Sequence, residues 1–280
     1  MYKILDKEEL APTIYRIEVS APLIAERAKA GNFVVLKINE RGERIPLTIV
    51  SADADKGTIT LIFQVIGKTT AHLATLRAGG HIQDLLGPLG HPTQIDDFGC
   101  VVVIGGGVGT AELFPIAKAM SEAGNYVISL IGARNKELMI LEHEIRRVTD
   151  EVWMATDDGS CGLRGLVTDL LKKLLENGAK IDRVVAIGPL PMMRAIALIT
   201  APLNIKTIVS LSSNMVDATG MCGTCRVTVG GDVKFTCVDG PEFDAARLDF
   251  TELMSRDKRF SIEERASFER FKKEHKKCYE

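Results

Sequence analysis

The sequence predicts three units in chain order: an antiparallel β-barrel, a doubly wound α/β domain with a parallel sheet, and a small cysteine-bearing β-hairpin domain. Three observations predict this. Residues 1–97 carry short apolar strands separated by turns, with little helical periodicity. Residues 98–209 alternate fully apolar strands with helix-length segments, the pattern of a sheet covered on both faces. Residues 210–250 hold Cys222, Cys225 and Cys237, three of the six cysteines, around glycine-rich turns. A charged tail, 251–280, finishes the chain of 280 residues.

In the first unit the expected strands are Tyr15–Val19, Phe33–Ile38, Leu47–Val50 and Thr58–Val65. Arg44-Ile45-Pro46-Leu47-Thr48 places a cation and a hydroxyl at even spacing, so Arg44 and Thr48 share one face of a strand. The guanidinium suits a phosphate and the hydroxyl a ring nitrogen. Gly67-Lys68-Thr69-Thr70 opens a short helix from Ala71 to Leu76, a second candidate phosphate cradle. A surface arginine and an ordinary threonine cap read these segments equally well.

In the second unit, strands at Val101–Ile104, Tyr126–Ile131, Val152–Ala155, Arg183–Ile187 and Ile205–Ser210 alternate with helices. The helices are expected at Ala111–Glu122, Lys136–Arg147, Leu166–Asn177 and Pro191–Ala201. The turn Gly105-Gly106-Gly107-Val108-Gly109 follows the first strand, and Gly188-Pro189-Leu190-Pro191-Met192 follows a later one. Both fall at the carboxyl edge of a parallel sheet, where free helix N–H groups attract phosphate. Tight strand–helix packing also selects glycine there. Asp157-Asp158-Gly159 ends another strand and suits either ribose hydroxyls or a solvated turn.

In the third unit, Asp217-x4-Cys222-x2-Cys225-x11-Cys237 is the spacing of a four-ligand iron–sulfur site with a carboxylate in the first position. Arg226–Val229 and Val233–Cys237 flank Gly230-Gly231, so a hairpin brings Cys225 and Cys237 together. A zinc site with three thiolates and a carboxylate and a redox-active Cys-x-x-Cys are the alternatives. The odd number of clustered cysteines and the lack of a leader sequence speak against a structural disulfide. Cys100, Cys161 and Cys278 stand singly, and Cys100 is expected in the core. In the tail, Phe260, Ile262, Phe268 and Phe271 are expected on one face of a docking helix.

A net charge of −2 offers no electrostatic footprint for nucleic acid or an anionic membrane, and no run approaches a spanning helix. A cytoplasmic location is expected. No nucleophile constellation is present, and His72, His81, His91, His143 and His275 are scattered.

The order Arg-x-Pro-Leu-Thr, Gly-Gly-Gly-x-Gly, Gly-Pro-x-Pro-Met-Met and a cysteine-rich segment resembles the ferredoxin–NADP reductase superfamily. Within it, the chain is similar to the FAD- and [2Fe–2S]-carrying electron-transfer subunits. One group serves dihydroorotate dehydrogenase and has cysteine at the first cluster position. Asp217, Thr156-Asp157-Asp158-Gly159-Ser160 and Gly240-Pro241-Glu242-Phe243 look closer to the small subunit of NADH-dependent ferredoxin:NADP oxidoreductase, also described as a sulfide dehydrogenase subunit.

The resemblance implies that Arg44, Pro46, Leu47, Thr48, Gly67, Lys68, Thr69 and Thr70 hold FAD, with Arg44 on its pyrophosphate and Thr48 near flavin N5. Leu47 stands where many relatives stack an aromatic ring. The resemblance also implies NAD(H) at Gly106, Gly107, Val108, Gly109, Gly188, Pro189 and Met192, and at Asp157 and Asp158, which would favour NAD over NADP. Arg134 or Arg164 would reverse that preference. Asp217, Cys222, Cys225 and Cys237 would hold the [2Fe–2S] cluster. The implied partner is a larger flavoprotein subunit with FAD and [4Fe–4S] clusters, through which ferredoxin and NADP(H) react by electron bifurcation in a heterodimer.

Overall fold

The computed structural model describes residues 1–275. The barrel is formed by β1 (Tyr2–Ala11), β2 (Ile14–Ser20), β3 (Phe33–Lys37), β4 (Arg44–Asp53), β5 (Thr58–Gln64), β6 (His81–Ile82) and β7 (Asp84–Leu89), with short helices α1 (Pro22–Ala25) and α2 (Lys68–Thr75). Its strands wind antiparallel in the order β6-β1-β2-β5-β4-β3-β7 and nearly close. Alternation drives this packing: Ile17, Val19, Leu36, Ile49, Ile59, Leu61 and Phe63 point inward as one core. Ile45 and Leu47 pack against that core, which leaves Arg44, Pro46 and Thr48 on the other face of β4.

The second unit contains β8 (Cys100–Gly106), α3 (Gly109–Glu122), β9 (Tyr126–Ala133), α4 (Glu142–Arg146), β10 (Glu151–Thr156), β11 (Leu163–Arg164), α5 (Val167–Glu176), β12 (Arg183–Ile187), α6 (Leu190–Thr200) and β13 (Lys206–Ser210). The strands from β8 to β13 pair parallel in the order β11-β10-β9-β8-β12-β13. The chain steps outward from β8 to β11, then returns to the other side of β8 as β12. The switch point therefore lies between β8 and β12, the crevice where open α/β sheets take ligands. Fully buried Val101–Ile104 and Val184–Ala186 explain why these strands read as unbroken apolar runs.

Two expected helices differ in the structure. The stretch 136–147 is a 3₁₀ turn, Lys136–Leu138, followed by α4; Leu141 between them has a φ of +55°, incompatible with a continuous helix. In the tail, α7 (Phe250–Asp257) and α8 (Ser261–Glu274) are separate helices. Only Phe271 of the four apolar tail positions is buried; Ile262 is 80% exposed. Phe271 lies beside α2, between His72 and His275, at ring-centroid distances of 5.8 and 4.1 Å. The rest of the expected tail, with Cys278, lies outside the described residues.

The cysteine hairpin consists of β14 (Arg226–Val229) and β15 (Asp232–Phe235), turned by Gly230 and Gly231 at φ +61° and +90°. It is not set apart from the sheet. After it, β16 (Glu242–Asp244) pairs antiparallel with β13 and becomes the last strand of the parallel sheet of the second unit. No helix among the described residues is long and apolar enough to cross a membrane.

Candidate functional site

At the switch point the two glycine-rich turns meet. A Cβ on Gly109 would lie 2.5 Å from the Ile187 carbonyl oxygen, and one on Gly106 would lie 2.5 Å from Met192 Sδ. Gly188, at φ +155°, has its Cβ position 3.2 Å from the Gly106 amide nitrogen. Gly106, Gly109, Gly188, Pro189 and Met192 thus form one crevice wall. Gly107 is different: its φ is +59° and no protein atom lies within 4 Å of its Cβ position. Its open face, ahead of the amino end of α3, fits a phosphate-bearing ligand. Val108 is the N-cap residue of that helix.

Asp157 and Asp158 lie on the loop after β10 and are exposed. Asp158 accepts hydrogen bonds from its own turn, from Ser160 N–H at 2.9 Å and Ser160 O–H at 2.6 Å. Those bonds hold its carboxyl below the usual range. Part of its capacity is therefore spent on shaping the turn, and Asp157 is the more available acceptor.

Across the crevice stands β4. Its outer face carries Arg44, which is exposed, then Pro46 and Thr48. Leu47 is turned toward the barrel core, so its side chain does not face the crevice beside Thr48. At the start of α2, Thr69 donates to Glu43 at 3.0 Å, and Lys68 lies 3.9 Å from the same carboxylate. Thr70 Oγ1 accepts from the amides of Ile66 and Gly67 at 3.0 and 3.1 Å, closing the helix cap. No protein atom lies within 4 Å of a Cβ placed on Gly67. Such open ground beside a helix start and an arginine fits a dinucleotide phosphate.

Helix α3 joins the two halves. Ala111 and Phe114 pack with Ala11, Ile14, Val50 and Ile62 of the barrel. In the same first turn, Glu112 faces the Thr48 hydroxyl. A carboxyl at a helix amino end is normally held ionised by the helix dipole. Here apolar surroundings outweigh that and push its pKa up to about 7, against a small opposing effect of Thr48. By exposed area the residue is half-buried. Sequence reasoning missed Glu112, although a lone acid in Gly-Thr-Ala-Glu-Leu-Phe-Pro was the available signal.

The cysteine loop completes the constellation. Cys225 and Cys237 are buried with their sulfurs 3.2 Å apart. Cys222 is exposed, and its N–H donates to Asp217 Oδ2 at 2.8 Å; Thr219 N–H donates to Oδ1 at 2.9 Å. These bonds hold the Asp217 carboxyl down, while burial and the neighbouring thiol push Cys237 up to about 12. Among the described residues no three His, Cys, Asp or Glu side chains converge as tightly as a single bound ion requires. The structure brings Cys225 and Cys237 together and ties Asp217 to Cys222 through the backbone. Three thiols and a carboxylate on a glycine-hinged loop have the donor chemistry of an iron–sulfur site. Arg256 of α7 also holds this loop, donating to the carbonyls of Gly223 and Thr224 at 3.4 and 3.2 Å. Nothing in the local pattern around Arg256 signalled this role, because the contact spans more than thirty residues.

Cys225 and Cys237 share one buried cluster with Phe33 and Val35 of β3, Met215 and Ala218. Phe33 is in turn the register partner of Thr48 on β4. The glycine-rich crevice, the outer face of β4 and the cysteine loop are therefore consecutive neighbours.

Residues 212–249 match the model of the iron–sulfur cluster binding domain of dihydroorotate dehydrogenase B. Over 271 residues the chain is 42% identical to a dihydroorotate dehydrogenase B (NAD(+)) electron transfer subunit homolog of Thermotoga maritima, covering 97% of this chain and 95% of that one. It is 32% identical to the corresponding electron transfer subunit of Geobacillus thermodenitrificans, covering 88% and 96%. A solved structure from work on flavin-based electron bifurcation by NADH-dependent reduced ferredoxin–NADP oxidoreductase superposes with a TM-score of 0.91 at 41% identity, covering 97% and 98%. The ferredoxin–NADP+ reductase of Plasmodium falciparum, at 15% identity and a TM-score of 0.58 over 71% and 88%, shares the fold.

Proposed function

The chain belongs to the family of dihydroorotate dehydrogenase B electron-transfer subunits and their homologues, and from that premise we propose that it relays electrons between NAD(H), FAD and a [2Fe–2S] cluster. The larger assembly in this reading is an electron-bifurcating NADH-dependent ferredoxin:NADP oxidoreductase, with this chain as its small subunit. The observation that carries the relay is that Phe33, the register partner of Thr48, shares one buried cluster with Cys225 and Cys237. It sets the candidate flavin face one strand away from the candidate cluster.

In this reading Arg44, Gly67, Lys68, Thr69 and Thr70 bind the FAD phosphates, while Pro46, Leu47 and Thr48 shape the strand under the ring. Gly106, Gly107, Val108 and Gly109 receive the nicotinamide dinucleotide at the start of α3. Gly188, Pro189 and Met192 complete the same wall, and Asp157 and Asp158 lie toward its ribose. Asp217, Cys222, Cys225 and Cys237 hold the cluster. When bound, flavin takes a hydride as two electrons and releases them singly to an iron–sulfur acceptor. The chain's own work is alignment, phosphate neutralisation and exclusion of water. Burial of Cys225 and Cys237 keeps one side dry.

Electrons must also leave the chain. Met221 and Val216 of the cysteine loop, 87% and 53% exposed, put apolar surface beside the candidate cluster. That patch suits a larger partner subunit with its own FAD and [4Fe–4S] clusters, through which NADP(H) and ferredoxin react. The names of the relatives favour a second reading, service to a dihydroorotate dehydrogenase. Co-expression with each candidate large subunit separates them. NADH-dependent reduction of NADP and ferredoxin together supports the first; NAD reduction by dihydroorotate supports the second. A purified chain without one FAD, two irons and two sulfides contradicts both.

A further inference from the structure

We propose that the hollow between the cysteine loop and α7 binds one tetrahedral oxyanion of the phosphate or sulfate class, held by Arg226, Arg256 and Arg259. Binding there needs neither flavin nor nucleotide; its effect on iron retention rests on the cluster reading above.

Separate elements bring the arginines together. Arg226 begins β14 directly after Cys225, and buried Val227 and Val229 leave it on the outer face of that strand. Helix α7 packs on β14 and carries Arg256 in its last turn. Arg259 follows in the link to α8. The cavity they line measures about 30 Å³, with Leu253 and Phe260 as its apolar wall and Ser213, Asn214 and Thr224 as neutral polar groups. A single ordered water requires roughly 10–15 Å³, so a tetrahedral ion fits and a nucleotide does not.

Charge in this hollow is unbalanced, although the whole chain carries a net charge of −2. Asp257 is the one carboxylate lining it, yet among the described residues no acid lies within ion-pair distance of the three guanidiniums. Arg256 uses Nη2 on the carbonyls of Gly223 and Thr224, which leaves its Nε and Nη1 hydrogens for another acceptor. The Arg259 guanidinium lies over the Phe260 ring, 5.4 Å from its centroid, and keeps all its donors. Burial and the like charges of Arg259 and Arg226 hold Arg256 below the ordinary arginine range, against the opposing charge of Glu252. Guanidiniums gathered in this way repel one another. An oxyanion relieves that repulsion and accepts charge-assisted hydrogen bonds from each of them. The Ser213 and Thr224 hydroxyls and the Asn214 amide offer neutral donors beside them. Seated there, the ion ties the start of β14 to the end of α7 and braces the loop between Cys222 and Cys225.

The test titrates the full chain, loaded with FAD and cluster, with inorganic phosphate and with sulfate at constant ionic strength balanced by chloride. Excess NAD+ keeps the glycine crevice filled, so that the added ion does not bind there. Isothermal titration reads binding, and chelator-driven iron release reads the loop. Arg226→Gln and Arg259→Gln are the test variants, because Arg256 also holds the loop carbonyls. Arg27→Gln, at an exposed position beyond α1, is the control. One phosphate should bind saturably per chain and slow iron release several-fold. Both test variants should weaken binding about ten-fold or more and lose the protection, while Arg27→Gln matches the wild type. Protection that never saturates, or that is equal in the test variants and the control, is the general effect of excluded salts and overturns the proposal. Should the test variants fail to fold, hydrogen exchange of the wild type decides. Slower exchange at 223–226 and 256–260 with phosphate supports the site, and unchanged exchange overturns it. A wild-type chain with a cluster and no saturable binding overturns the anion site and leaves the relay intact. One that binds phosphate but carries no cluster overturns the relay and keeps the anion site.

Discussion

Replacing Gly109 by alanine tests the crevice most sharply. The added methyl would sit 2.5 Å from the Ile187 carbonyl oxygen, 2.9 Å from its carbon and 3.2 Å from Gly188 Cα. All three are backbone atoms, so no side chain can rotate away. Helix α3 must move off β12 by roughly 1 Å, at the overpacking cost of about 1–3 kcal/mol. The helix-propensity gain of alanine over glycine, at most about 1 kcal/mol, offsets part of this. The net loss, up to about 2 kcal/mol, lowers the melting temperature by up to roughly 4–8 °C, at about 2–4 °C per kcal/mol in a chain this long. The same shift displaces the amide groups at the start of α3, and NADH affinity should fall about ten-fold or more, about 1.4 kcal/mol. Gly178→Ala is the control. Its φ is +82°, yet no atom lies within 4 Å of the new methyl. It should cost only about 1 kcal/mol of left-handed strain and leave NADH binding unchanged. Differential scanning fluorimetry and isothermal titration with NADH read both quantities. If Gly109→Ala melts with Gly178→Ala and binds NADH like wild type, the two turns do not form the nucleotide crevice.

Other outcomes follow from single contacts. Glu112 ionises in the unfolded chain as pH passes about 4.5 but in the folded chain only near 7, so this residue removes stability across that window. At about 1.4 kcal/mol per pH unit the loss reaches at most about 3.5 kcal/mol, less whatever solvent screening removes. Urea unfolding should therefore show Glu112→Gln gaining on wild type between pH 5 and pH 8, and a pH-independent difference refutes the assignment. Arg256→Ala removes the donor to Gly223 and Thr224; chelator-driven iron loss should accelerate several-fold, and an unchanged rate refutes the strut. Asp217→Ala frees the amides of Thr219 and Cys222 and should lose cluster on gel filtration. Asp217→Cys should keep the cluster with a changed EPR spectrum, and an unchanged spectrum rules out Asp217 as a ligand. Phe271→Ala uncovers His72 on α2; hydrogen exchange should rise in α8 and the start of α2, and protection equal to wild type shows that α8 does not brace that helix.

Much of this architecture was legible because its signals are local. Val101–Ile104 and Arg183–Ile187 read as buried parallel strands because both faces are covered, and Gly230-Gly231 read as a hairpin turn because two successive positive φ angles need glycine. The first strand, Tyr2–Ala11, was not legible. Its burial alternates weakly, with Ile4 and Ala11 as its fully buried positions, and Lys3, Asp6, Lys7, Glu8 and Glu9 mask the pattern. Backbone pairing to β2 and β6 holds it in place. The return of β16 to the nucleotide sheet was equally hidden, because three residues carry no periodicity. In the site, the glycine turns and cysteines announced themselves by spacing. Glu112 beside Thr48 and Arg256 bracing the cysteine loop depend on how separate units dock, whereas Leu47 facing the barrel core follows from the alternation of β4.

In the proposed relay, electrons pass from the α3 crevice across β4 and β3 to the cysteine loop. Anaerobic addition of NADH to the purified chain, followed by optical and EPR spectra, tests it most directly. The flavin bands should bleach and a rhombic [2Fe–2S] signal should grow on the same sample. A colourless zinc-containing chain, or flavin bleaching with a cluster that stays oxidised, would contradict it.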